Sequence, residues 1–294
     1  MIQSVTEMWQ LTLRDADGDV LAAGQQAIAT GVCVTIVLTL LSGPRVLLAQ
    51  SPEERGLAIA TEADRRASGW GDTAAEIEMV LVDRRGNERV RRLRARSIEV
   101  EGDGDKSLVV FDNPRDIAGT AVLTFAHTTD ADDQWLYLPA LKRVKRIAAA
   151  NQSGSFMGSE FAYEDLVSEE LGKYTYRWIN DEPCPVPAAG DLACFVVERR
   201  PIAAESGYSR QVVWLDQTEY RAWKIDYYDR RQELLKTLTY GAYEQHLERF
   251  WRAHEMLMIN HQTGRETRLV WNDIRFQTGL DDADFTTASL RRVR

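Results

Sequence analysis

"TAAEIEMVLV", Thr73–Val82, sets the fold class. Ile77, Met79 and Leu81 recur at every second position and share one side, while Glu76 and Glu78 share the other. Side chains alternate across an extended strand and recur at three or four residues in a helix, so this run reads as a strand with one face on a core. Strand patterns return near 88–100, 107–111, 120–128, 133–138, 172–180, 193–199, 209–215, 220–228, 232–246, 249–260 and 265–277. "DRRGN", "EGDGDK", "TDADD" and "HQTGR" are turn signals between them. Connections this short cannot hold the crossover that parallel neighbours need, so the strands read as an antiparallel meander. The exception is the stretch 139–167, a long insert with helical pieces.

The strands carry a broad apolar face. In "YRAWKIDYYD" Trp223, Ile225 and Tyr227 alternate with Ala222, Lys224 and Asp226; in "RQVVWLD" Val212 and Trp214 alternate with Val213 and Leu215. A large antiparallel sheet with such a face curls, and helices or a ligand must cover it. Alternation nominates Met79, Leu81, Trp135, Tyr137, Trp214 and Trp223 as the lining of an apolar interior. A slip of one residue moves any of them to the opposite face, and core packing is the competing reading for each aromatic.

Upstream, "SPEERGLAIATEADRR" has the marks of a helix start: Ser51 as N-cap, Pro52 at the first helical position, and Glu53 and Glu54 in the first turn. Before it, "AIATGVCVTIVLTLL", Ala27–Leu41, is uncharged but short of the roughly 20 residues of a membrane span, and resembles a signal-peptide core cut after Ala49. The preceding segment is acidic, which departs from a positively charged leader. The expected organisation is an N-terminal extension and signal over 1–49, then a single exported domain over 50–294, its mature end at Gln50. Retention of the apolar segment as an anchor is the competing reading. With Cys33 removed, Cys184 and Cys194 are an even pair across a Pro- and Gly-rich connection, as an oxidising compartment favours, and are expected to form a disulfide.

The net charge of −9 argues against a nucleic-acid binder, which needs a broad cationic surface to replace counterions on phosphate. Against it stands "DDQWLYLPALKRVKR", Asp132–Arg146, where Lys142, Arg143, Lys145 and Arg146 crowd together after Trp135 and Tyr137. Arg143, Lys145 and Arg146 are candidates for contact with a lipid head group or a protein partner through charge-assisted hydrogen bonds; mere balance of Asp130, Asp132 and Asp133 is the alternative. Catalytic motifs are not found. His127, His246, His254 and His261 lie on separate segments without H-E-x-x-H spacing, "SGS" lacks the frame of a nucleophile elbow, and "EGDGDKS" lacks the closing Glu of a calcium loop. No catalytic residue, metal or cofactor is expected.

The W-x-Y-x-P-x-x-x-R-x-x-R run Trp135–Arg146, joined to "GSFMGSEFAYEDL", resembles the outer membrane lipoprotein-sorting protein family, relatives of the periplasmic carriers LolA and LolB. "GDGDKSLVVFDNPRDIAGTAVLT" before it, and "KTLTYGAY" and "NHQTGRETRLVW" after it, are compatible, so the likeness runs over essentially 51–294. The resemblance implies a mainly β fold, an incomplete antiparallel barrel of about 11 strands covered by a few helices. It also implies an apolar interior that receives lipid or lipoprotein acyl chains. Phe156, Met157 and Phe161 would then form a gate beside the flexible Gly154 and Gly158. Expected with it are a periplasmic location, a monomer, and an inner-membrane transporter or outer-membrane acceptor as partner. A sensor or interaction module of the same fold, detecting envelope lipid without carrying it, is the alternative.

Overall fold

A computed structural model describes residues 50–292. The extension and signal segment expected over 1–49 lie outside the described residues. The chain enters through helix α1 (Pro52–Ala67), whose start is the one read from sequence. Ser51 Oγ accepts the Glu54 amide at 3.1 Å and Glu54 Oε2 accepts the Ser51 amide at 2.9 Å, so two otherwise orphaned donors are satisfied reciprocally.

The rest is one antiparallel sheet. Its first half is β1 (Asp72–Val82), β2 (Glu88–Ile98), β3 (Lys106–Asn113), β4 (Ala121–Phe125), β5 (Asp133–Leu138) and β6 (Arg143–Ile147). Its second half is β7 (Tyr174–Pro183), β8 (Ala193–Pro201), β9 (Tyr208–Asp216), β10 (Ala222–Asp229), β11 (Leu234–His246), β12 (Phe250–Asn260) and β13 (Arg265–Phe276). Each half is a meander, and the two join where β1 pairs with β13. The order β6-β5-β4-β3-β2-β1-β13-β12-β11-β10-β9-β8-β7 leaves β6 and β7 as edges, so the barrel is not closed. The insert 148–173 runs from one edge strand to the other and crosses the open side.

The sheet has 13 strands where about 11 were expected, and one α-helix where a few were expected. Besides α1, the described residues hold only single-turn 3-10 segments. The strand hidden in the insert is β6, where four cations in six residues from Lys142 to Ile147 erase the apolar alternation by which a strand is read. Helix α1 lies against edge strand β7, and Gly56 permits it: a Cβ there would fall 2.6 Å from the Trp178 backbone nitrogen.

Both faces of the sheet carry buried clusters, built by different means. The inner face packs Met79, Phe111, Val197, Ile225, Leu238 and Met258 with Ile59 and Ala60 of α1 and Phe156 and Phe161 of the insert. Outside, the segment after β13 lays Phe285 and Leu290 over Leu108, Leu123, Trp135 and Tyr137. Asp72 holds that segment, accepting the Thr278 amide at 2.7 Å and the Gly279 amide at 3.2 Å. The β7–β8 loop, closed by a Cys184–Cys194 disulfide, covers Val212, Trp214 and Trp223.

Candidate functional site

A cleft of about 640 Å³ lies between the inner face and the insert. Met79, Leu93, Ile225, Leu238, Met256 and Leu269 line it from the sheet, Phe156 and Phe161 from the insert. Its walls come from strands far apart in sequence because the curled sheet presents one face to one hollow. The indole N–H of Trp271, on this wall, has no protein acceptor among the described residues. A second, more polar hollow of about 1070 Å³ runs beneath the end of α1, lined by Glu99, Arg249 and Arg252 among others. Ile225, Tyr240, Asp105 and Arg199 line both, so the two hollows adjoin, and together they are termed the passage, the cleft its apolar half and the second hollow its more polar half.

Arg199 stands at the division. It is buried, donates from Nε to Gln211 Oε1 at 2.6 Å, pairs with Glu169 and lies 4.9 Å from the Tyr174 ring. Burial lowers its pKa from the ordinary arginine value, and Tyr227, Tyr240 and Asp165 oppose that shift. Asp105 is different: burial, then the negative charges of Glu170 and Glu99, push its carboxyl up to about 7.

The insert is pinned to the sheet by buried polar contacts. Lys236 Nζ donates to Asp165 Oδ2 at 2.6 Å and to the Glu160 carbonyl at 3.0 Å, and the Tyr208 hydroxyl donates to Asp165 Oδ1 at 2.8 Å. Asn260 Nδ2 donates to Glu160 Oε2 at 2.7 Å, and the Glu160 amide donates to Thr267 Oγ1 at 3.0 Å. These contacts seat Phe156, 1% exposed, against Phe111 and Tyr163, with ring centroids 5.5 and 5.6 Å away.

A crystal structure of a domain described provisionally as an outer membrane lipoprotein-sorting protein, from Vibrio parahaemolyticus, is 53% identical to this chain. It superposes with a TM-score of 0.78 over 82% of this chain and 100% of that one. The chain belongs to the outer membrane lipoprotein-sorting protein family. A family model described as "Uncharacterized protein" matches residues 103–292. A DUF1329 family protein from Desulfovibrio piger is 29% identical, with a TM-score of 0.76 over 82% of this chain and 100% of its own. A LolA superfamily protein from Nitrosomonas europaea, at 20% identity and a TM-score of 0.64 over 82% of this chain and 100% of that one, shares the fold. None of the curated proteins compared with the chain matches it.

In this lipoprotein-sorting family member the stretches that carry the resemblance meet around the insert. "GSEFAYEDL" supplies Glu160 and Asp165, "KTLTYGAY" supplies Lys236, and "NHQTGRETRLVW" supplies Asn260 and Thr267. The sequence alone does not show that these stretches form one contact, because each partner lies 71 or more residues from the insert residue it bonds.

The nominated cavity residues divide. Met79 lines the cleft and Leu81 packs against the same core. Trp135 and Tyr137 do not line it: both sit on the outer face under the C-terminal segment. Their strand partners, Leu123 and Ala121, belong to that outer cluster, and Leu136 between them is the inward residue. Trp214 is also outward, its Nε1 donating to Glu182 Oε1 at 2.6 Å, while Val213 and Leu215 face inward. Trp223 fails for another reason. The β9–β10 register slips between Ala222 and Lys224, so Trp223 is an extra residue that turns outward although Ile225 and Tyr227 point in.

Arg143, Lys145 and Arg146 are exposed on edge strand β6. Arg146 pairs with Asp133; Arg143 and Lys145 have no ion-pair partner among the described residues. Ala149 and Gln152, just beyond β6, line the cleft. Cations on a short edge strand also discourage pairing with another sheet, a structural role that needs no ligand. In the insert, Phe156 and Phe161 are buried and Met157 half-buried, its backbone in the left-handed region at φ 52° with Gly158 following at φ 79°.

Proposed function

We propose that the protein binds the acyl chains of a lipid or lipoprotein in the apolar half of the passage and carries them between membranes, without a chemical step. The observation that carries this reading is the cleft itself: an apolar hollow within the roughly 300–1,000 Å³ range of ligand pockets, walled by a sheet of the lipoprotein-sorting fold. Each methylene moved from water into it would contribute about 0.8 kcal/mol. Phe156, Met157 and Phe161 act as the cover that must lift for entry. A periplasmic location is supported by the disulfide and by the relative's link to outer membrane lipoproteins. The expected state is a monomer that meets a membrane transporter or acceptor.

A fluorescent fatty acyl probe tests the reading. Wild-type protein is expected to bind it saturably, with displacement by unlabelled fatty acid. Met256→Trp fills the cleft and is expected to weaken binding by about 10-fold or more, the scale of two lost methylenes. Trp135→Leu, on the outer face, is expected to leave it unchanged. Absence of saturable binding, or equal affinity in Met256→Trp, would show that the hollow is not an acyl site.

Arg143 and Lys145 are proposed to meet the anionic head groups of a donor or acceptor membrane. The double substitution Arg143→Glu, Lys145→Glu should change thermal unfolding little, since surface charges contribute about 0–1 kcal/mol. Sedimentation with vesicles containing anionic lipid should fall for this variant and, for the wild type, fall with added salt. Unchanged sedimentation alongside lost stability would assign both residues to the edge of the sheet alone.

A further inference from the structure

Near the β11–β12 turn, two histidines that lie apart in sequence meet. His246 Nε2 and His254 Nε2 are 3.2 Å apart, with their rings within 10° of parallel and their centroids 5.5 Å apart, so the two nitrogens face each other nearly in line. His254 Nδ1 lies 3.0 Å from the Trp271 carbonyl oxygen. A carbonyl only accepts, so the Nδ1 hydrogen is committed there and a neutral His254 presents a bare Nε2 to His246. Glu244 Oε2 lies 3.5 Å from the same nitrogen. The three donor atoms fall within 4.8 Å of one another.

We propose that Glu244, His246 and His254 bind a divalent transition metal ion of the zinc type. Two imidazole nitrogens at about 2.0–2.1 Å from a tetrahedral zinc ion stand roughly 3.3–3.4 Å apart. The observed separation is already close, so binding requires the rings to tilt toward a shared point rather than the strands to move. The anchored Nδ1 is the outer contact by which metal-binding histidines are oriented. Glu244 is exposed on its strand and free to swing to the third position, and solvent supplies the fourth. Two imidazoles and one carboxylate suit zinc or copper and do not suit calcium or magnesium, which take oxygen ligands. Arg252 opposes the added charge and Glu244 offsets it.

The site would tie β11 to β12 beside Arg249, whose Nη2 donates to the Ser68 carbonyl at the end of α1 at 2.9 Å. It would therefore brace the turn that borders the polar half of the passage. This inference is independent of acyl binding.

Isothermal titration of the untagged chain with zinc chloride is the test, with cobalt(II) absorption reporting the ligand set. One saturable site per chain is expected, reversed by a chelator. His246→Gln, near the turn, should lower affinity by about 10-fold or more, at least the effect of losing an outer partner of a ligand. Glu244→Gln should lower it less, and His127→Gln, at a separate Asp-lined position, should not change it. Matching thermal unfolding of the metal-free variants confirms that each is folded. Absence of saturable zinc binding, or a His246→Gln titration like the wild type, would reduce the pair to an imidazole–imidazole hydrogen bond. Loss of binding in His127→Gln would place the metal elsewhere and overturn the assignment.

Discussion

Lys236→Ala is expected to destabilise the protein by about 3–5 kcal/mol, the cost of leaving one member of a buried ion pair without its partner. The Lys236 and Asp165 side chains are 4% and 5% exposed, so solvent cannot take over the lost contact. Asp165 would keep the Ala162 amide and the Tyr208 hydroxyl but lose its ion-pair partner, and the Glu160 carbonyl would lose a donor. The same pair holds the insert across the open side. Limited proteolysis of Lys236→Ala is therefore expected to cut within 148–173 before the sheet unfolds. Lys236→Met with Asp165→Asn should recover most of the loss, since removing both charges leaves no uncompensated ion. Chemical denaturation of the three variants measures it. A Lys236→Ala protein as stable as wild type, or a double variant no better than the single one, would mean that the insert is held by Phe156 and Phe161 rather than by charge.

Alternation was enough to locate the strands other than β6 and not enough to orient them all. In β1 it placed Ile77 and Met79 correctly, because Glu76 and Glu78 leave that strand one apolar face. In β5 and β9 both faces are apolar, and the sequence holds no local sign that Phe285 or the disulfide loop will cover one of them. The bulky aromatics drew the inward reading and lay outside. The bulge at Trp223 changes parity within a single strand, which periodicity does not register. Cross-strand meetings were equally hidden: a search for ligands at helical spacing passes over His246 and His254, whose nitrogens face one another across a turn. Arg199 carries no signal in the sequence that sets it apart, and only the curled sheet shows it buried where the two halves of the passage meet. The family likeness, carried by Trp135–Arg146 and the stretch after it, supplied what periodicity lacked: that the sheet would remain an open barrel.

Stability is expected to fall as pH rises from about 4 toward 7, and Asp105 is expected to account for much of the slope. Its folded carboxyl is pushed up to about 7 from an ordinary 3.8, first by burial and then by Glu170, Glu99 and Asp64. The folded protein therefore holds this proton more tightly than the unfolded chain. Below the unfolded value both states are protonated and the group contributes nothing adverse. Between the two values the unfolded chain gains by ionising while the folded one does not, at up to about 1.4 kcal/mol per pH unit. Above about 7 both are ionised and the loss is complete. His127, raised chiefly by its bond to Asp103, adds a fall of the same sign at higher pH, so the total slope cannot isolate one group. Comparison with Asp105→Asn can. The variant should match wild type near pH 4 and exceed it in melting temperature near pH 8, because it carries no charge to bury. Arg252, whose charge interacts with Asp105 and Glu99, loses one counter-charge in that variant and should reduce the gain without reversing it. Melting curves across this pH range decide the matter: a difference between the two proteins that stays constant with pH would mean that Asp105 is ionised throughout, and that the polar half of the passage is wetter and more negative near neutrality than its burial implies.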